Sequence, residues 1–148
     1  MIARRSLLAG ACAAAALAAC GRREAGVAAL PAGTAVLALG DSLTYGTGAP
    51  REASYPTVLA QVTGWNVVNA GVPGDTSAGA LARLPGLLDE HKPRLVLVSI
   101  GGNDFLRRLP PVETRANVRA ICEQATAAGA QVVLIGGPGA KAFAAVAR

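Results

Sequence analysis

Leu37-Ala38-Leu39-Gly40-Asp41-Ser42-Leu43-Thr44-Tyr45-Gly46-Thr47-Gly48 is the stretch on which the fold turns. An apolar run of β type, residues 35–39, stops abruptly at Gly40-Asp41-Ser42, and glycines and threonines follow. A buried strand that ends this way leaves the serine at its carboxyl end, where open α/β sheets bind their ligands. A hydroxyl exposed there, on a turn, is placed to act as a nucleophile. The plainer alternative is a Ser/Gly/Thr turn that merely leaves the strand. A phosphate cradle of Walker type needs Gly-x-x-x-x-Gly-Lys-Ser/Thr, and no lysine stands here. The Gly-x-Ser-x-Gly nucleophile elbow also fails, because Thr44 holds its last position.

Outward from this stretch, the pattern predicts strands at 34–39, 65–69, 95–100 and 131–135. Residues 95–100, Leu-Val-Leu-Val-Ser-Ile, are almost continuously apolar, as a central parallel strand buried on both faces requires. Helices are predicted between the strands. One covers 55–62, with Pro56 early enough that its missing N–H costs nothing. A second is capped by Thr76 or Ser77 and carries Leu81, Leu84, Leu87 and Leu88 at helical spacing, with Pro85 expected to kink or restart it. A third covers 112–128 and is ended by Gly129. A last helix begins at 140. Residues 51–54 read as a polar loop and 70–75 as a glycine-rich one. Strands alternating with helices imply a doubly wound parallel α/β architecture. Ser42, Gly74 and Asn103 then follow strands one, two and three, and share one rim of the sheet.

The chain has 148 residues, enough for one domain with a real core. It is 52% hydrophobic and only 3% aromatic, so Ala, Leu and Val must build that core. The formal charge is +5, and removal of Arg4 and Arg5 with a leader would leave +3. The cations form no stripe with interleaved aromatics, so nucleic acid is not an expected partner. Residues 1–19 read as an export signal, with Arg4-Arg5 as the charged region and residues 7–19 as the apolar one. The signal is too short for a comfortable membrane span. It ends in Leu17-Ala18-Ala19-Cys20, which resembles the lipobox of bacterial lipoproteins and makes Cys20 the lipidation site. An ordinary secretory signal cleaved after the Ala-Ala pair is the alternative. The Arg pair leaves the choice between general and twin-arginine export open. Residues 20–33 read as a tether, and 34–148 as the folded domain. Cys122 has no expected disulfide partner, and a single histidine, His91, excludes a multi-histidine metal site.

An attacking serine needs donors aimed at the oxygen that becomes negative. The N–H of Ser42, the N–H of Gly74 and the side-chain amide of Asn103 are three candidates. The strings Gly40-Asp41-Ser42-Leu43, Gly74-Asp75-Thr76-Ser77 and Gly101-Gly102-Asn103-Asp104 resemble, in order and spacing, three signature blocks of the GDSL/SGNH hydrolases. Val67-Val68-Asn69-Ala70 and Ala82-Arg83-Leu84-Pro85 are similar to the bacterial periplasmic arylesterase, thioesterase and lysophospholipase branch. The resemblance spans residues 34 to about 137. It implies a flavodoxin-like three-layer sandwich around a parallel sheet. It also implies Ser42 as nucleophile and Ser42, Gly74 and Asn103 as oxyanion hole, with no metal or organic cofactor. The implied partners are a small-molecule ester, thioester or lysophospholipid substrate, and a membrane reached through Cys20. The family's Asp-x-x-His, which supplies the general base, has no counterpart in the 148 residues. The expectation is therefore a chain that stops before the last βα unit and is weak or inactive as it stands. His91 is expected in a solvated loop at the opposite end of the sheet. Asp41, Asp75 and Asp104 are expected to fix loops by accepting backbone N–H groups. The alternatives are a carbohydrate acetylesterase, or a non-catalytic lipoprotein or pseudogene remnant that keeps the fold.

Overall fold

A computed structural model describes residues 30–136. The leader at 1–19, Cys20, most of the tether and the helix expected from 140 lie outside the described residues. Four strands form one sheet: β1 (Ala35–Gly40), β2 (Asn66–Gly71), β3 (Leu95–Ser99) and β4 (Gln131–Leu134). The order is β2-β1-β3-β4 and every pair is parallel, with Leu37 opposite Val68 and Val96, and Val98 opposite Leu134. This is the expected doubly wound arrangement, with β1 and β3 adjacent where the winding reverses.

Three longer helices cover the sheet: α2 (Tyr55–Thr63), α3 (Ser77–His91) and α5 (Pro111–Ala127). The alternation of side chains along each strand divides the core into two layers. Leu37, Leu39, Val96 and Val98 point to one face and pack with Ala80 and Leu84 of α3 and Ile121 and Ala125 of α5. Val36, Leu95 and Leu97 point to the other, where Tyr55 and Leu59 of α2 and Trp65 meet them. That second face carries an open apolar groove of about 580 Å³ that reaches from Trp65 to Val133 and Ile135.

Several local expectations change. Two short helices, α1 (Ser42–Tyr45) and α4 (Gly102–Leu106), stand where turns were expected, and Arg51–Ala53 is a 3-10 turn instead of a loop. Their four or five residues are too few to show a helical period. Of the two effects expected of Pro85, a kink or a restart, the restart does not occur, and α3 is one continuous helix. It ends after His91, where Lys92, with φ 43°, supplies a left-handed cap whose N–H returns to the Leu88 carbonyl at 2.9 Å. His91 is therefore the last residue of a helix and half-buried, not a solvated loop residue. The end of the tether is also part of the fold. The Trp65 indole donates to the Leu30 carbonyl at 3.2 Å, and Gly33 N–H donates to Gly64 at 2.8 Å.

Candidate active site

Strand β1 delivers Asp41 and Ser42 to the rim. Asp41 is buried and caps α1: its Oδ1 accepts the N–H of Leu43 at 3.0 Å. Ser42 is the first residue of α1 and half-buried. First-turn N–H groups of a helix have no partner inside it, so that of Ser42 stays available to an acceptor at the rim. Among the described residues its hydroxyl has no hydrogen-bond partner, so it is free to face substrate and water. Helix α1 is seated by buried Thr44, whose hydroxyl lies 3.3 Å from that of Tyr55. Burial pushes the Tyr55 phenol above its ordinary pKa, with a smaller upward push from the Asp41 carboxylate, against the hydrogen bond with Thr44.

The loop after β2 is laced to β1. Val72 N–H donates to the Gly40 carbonyl at 3.0 Å, and Asn69 Oδ1 accepts the N–H of Gly71 at 3.0 Å. Gly74 has φ 78°, a conformation that favours glycine, and it presents its backbone without a side chain. The Asp75 carboxylate accepts Thr76 N–H at 2.9 Å and the Arg83 Nε at 2.9 Å, while the other end of the Arg83 guanidinium donates to the Gly40 carbonyl at 3.0 Å. One arginine of α3 thus joins the end of β1 to the Gly74 loop. Its position two helical turns into α3 is the only sign of this in the sequence, and a helix-facing arginine normally reads as solvated surface.

Helix α4 carries the third element. Asn103 Nδ2 donates to the Asp75 carbonyl at 2.8 Å, which docks α4 directly on the Gly74 loop and leaves the second amide hydrogen unspent. The next residue, Asp104, is 2% exposed. It accepts Ser77 N–H at 2.8 Å, the Ser77 hydroxyl, and the Thr114 hydroxyl at 3.2 Å. Asn117 closes the network by donating to Ser77 Oγ at 3.0 Å. No cation partners this carboxylate among the described residues; the positive end of the α3 dipole faces it instead. Asp41, Asp75 and Asp104 are thus acceptors that fix loops, as expected of carboxylates near this rim. The partners of Asp104 were not legible, since Ser77 and Thr114 lie on two other helices, one before it and one after it in the chain.

The three expected site residues come together on one rim, held by these contacts. His91 does not join them. Arg94 N–H donates to the Ala35 carbonyl at 2.9 Å, which places the end of α3 beside the start of β1. Ser42 lies at the other end of that strand. Among the described residues no group of three or more His, Cys, Asp or Glu side chains is placed to hold a metal ion.

Residues 38–147 match the model of the GDSL-like lipase/acylhydrolase family. Over 106 residues the chain is 41% identical to Esterase TesA of Pseudomonas aeruginosa, covering 68% of this chain and 53% of that protein. Over 104 residues it is 44% identical to the Thioesterase 1/protease 1/lysophospholipase L1 of Escherichia coli K12, covering 68% and 49%. The chain therefore spans about half the length of these curated relatives. A crystal structure of TesA superposes with a TM-score of 0.71 at 37% identity, over 76% of this chain and 72% of that one.

Proposed function

Because the chain belongs to the GDSL-like lipase/acylhydrolase family, we propose that the protein is a serine ester hydrolase acting on small esters, thioesters or lysophospholipids. The observation that carries this reading is the placement of Ser42, Gly74 and Asn103 past the ends of β1, β2 and β3, tied together through Asp75, Arg83 and Arg107. Ser42 Oγ attacks the acyl carbonyl and gives its proton to a base. The carbonyl oxygen, now negative, is met by the N–H groups of Ser42 and Gly74 and the amide of Asn103. The alcohol or thiol departs with a proton, and water then releases the acid from the acyl-serine. No imidazole of this chain reaches Ser42, and the chain spans about half the length of its curated relatives.

The protein is proposed to work in the periplasm, tethered to the outer membrane through lipid on Cys20. The Leu17-Ala18-Ala19-Cys20 string supports this. Incorporation of labelled fatty acid that is lost in Cys20→Ala supports the anchor; unchanged incorporation opposes it. The substrate class is tested with residues 34–136 joined to the C-terminal half of Esterase TesA. Turnover of aryl acetates, acyl thioesters and lysophospholipids is expected. Turnover confined to acetylated carbohydrate supports the acetylesterase reading instead.

A further inference from the structure

We propose that the projecting segment 105–112, between α4 and α5, docks on an anionic lipid surface beside the Ser42 rim. Phe105 is 81% exposed, Leu106 75% and Val112 70%. Two arginines, Arg107 and Arg108, stand inside the same segment, and Arg115 and Arg119 continue from it along α5. At 100° per residue, Val112, Arg115 and Arg119 fall on one exposed stripe of α5, centred about 120° round from the buried Thr114, Val118, Ile121 and Ala125. The segment's outer surface is therefore apolar at its tip and cationic at its flank.

The charge is segregated, not merely abundant. The described residues hold eight Lys and Arg against eight Asp and Glu, so the fold as a whole is neutral. Four of those eight cations fall within 107–119, where Glu113 is the only acid. Among the described residues Arg108, Arg115 and Arg119 make no ion pair. The projection is also held in shape. Leu109 N–H donates to the Asp104 carbonyl at 2.9 Å and Arg108 N–H to the Phe105 carbonyl at 3.0 Å, while Arg108 adopts a left-handed φ of 55°. Arg107 ties the segment to the Gly74 carbonyl at 2.7 Å.

Apolar side chains beside arginines are the composition that settles at the boundary between headgroups and acyl chains, drawn there by negative lipid. Exposures of 70% and above leave these side chains no concave wall of their own in which an acidic peptide could lie. A fluid lipid surface instead closes around them. The docking stands apart from the esterase reading; only its consequence, delivery of a lipid ester to Ser42, rests on that reading.

The test uses the 148-residue chain with Phe105→Trp and vesicles of brominated phosphatidylglycerol or brominated phosphatidylcholine. The new indole is expected to be quenched several-fold more than Trp65 of the parent chain in the anionic vesicles, and little in the zwitterionic ones. Quenching should fall when Arg108→Asn, Arg115→Gln and Arg119→Gln are combined, and at about 0.5 M salt, where the screening length shrinks to a few ångströms. An indole that stays unquenched on anionic vesicles with which the chain sediments overturns the proposal. So does quenching indifferent to lipid charge. A spectral shift with polyglutamate but not with vesicles assigns the surface to an acidic protein and also overturns it. Ester hydrolysis enters none of these readings.

Discussion

At the residue scale the rim is held by its acceptors more than by Ser42. Asp104 satisfies three donors from two other helices while itself nearly inaccessible. Removing one partner of a buried charge-assisted network leaves the others desolvated and unpaired. Asp104→Ala is therefore expected to destabilise the fold by about 3 kcal/mol, read by urea unfolding, with Asp104→Asn costing less. Tyr55 gives a pH signature. Its phenol titrates above the ordinary 10.0 in the fold, so the folded state keeps its proton where the unfolded chain has lost it. Stability from this group is intact below that ordinary value and falls as pH rises through the raised one. Tyr55→Phe should flatten the fall in melting temperature above about pH 10; an unchanged alkaline slope would assign the fall elsewhere.

At the element scale the long pieces were legible and the short ones were not. β3 announces itself through four consecutive buried residues, and α5 through Val118, Ile121 and Ala125 at helical spacing. α1 and α4 have no period to read, yet they carry Ser42 and Asn103. They are set by tertiary contact. α1 lies so close to β2 that a Cβ on Gly71 would overlap the backbone nitrogen of Tyr45. α4 is held by Asp104 and by the docking of Asn103 on Asp75. The three rim positions could be read because glycines, Asp, Ser and Asn end strands recognisably. Arg83 could not, because its role depends on where Gly40 and Asp75 meet in space. Gly71→Ala should force α1 off β2, with a loss of about 2 kcal/mol, in the range for overpacking against rigid backbone. Denaturant unfolding checks this, and wild-type stability would show that α1 yields freely.

At the scale of the whole molecule, the described fold holds the proposed nucleophile and oxyanion donors at one end of the sheet and its one imidazole at the other. In a well-studied serine protease, loss of the histidine alone costs about 10⁶ in turnover. The 148-residue chain is therefore expected to hydrolyse an activated aryl ester at the rate of its own Ser42→Ala variant, and His91→Ala should change nothing. Turnover that His91→Ala removes would place that imidazole at the rim, against the position of α3. The measurement closest to the central claim joins this rim to half of a relative. In residues 34–136 fused to the C-terminal half of Esterase TesA, turnover of an aryl ester is compared for the parent, Ser42→Ala and Asn103→Ala. Loss of hydrolysis in Ser42→Ala and a fall in kcat of roughly 10²–10³ in Asn103→Ala, with KM little changed, are the expected results. An active fusion whose kcat survives Ser42→Ala, or is untouched by Asn103→Ala, would contradict the assignment of nucleophile and oxyanion hole to this rim.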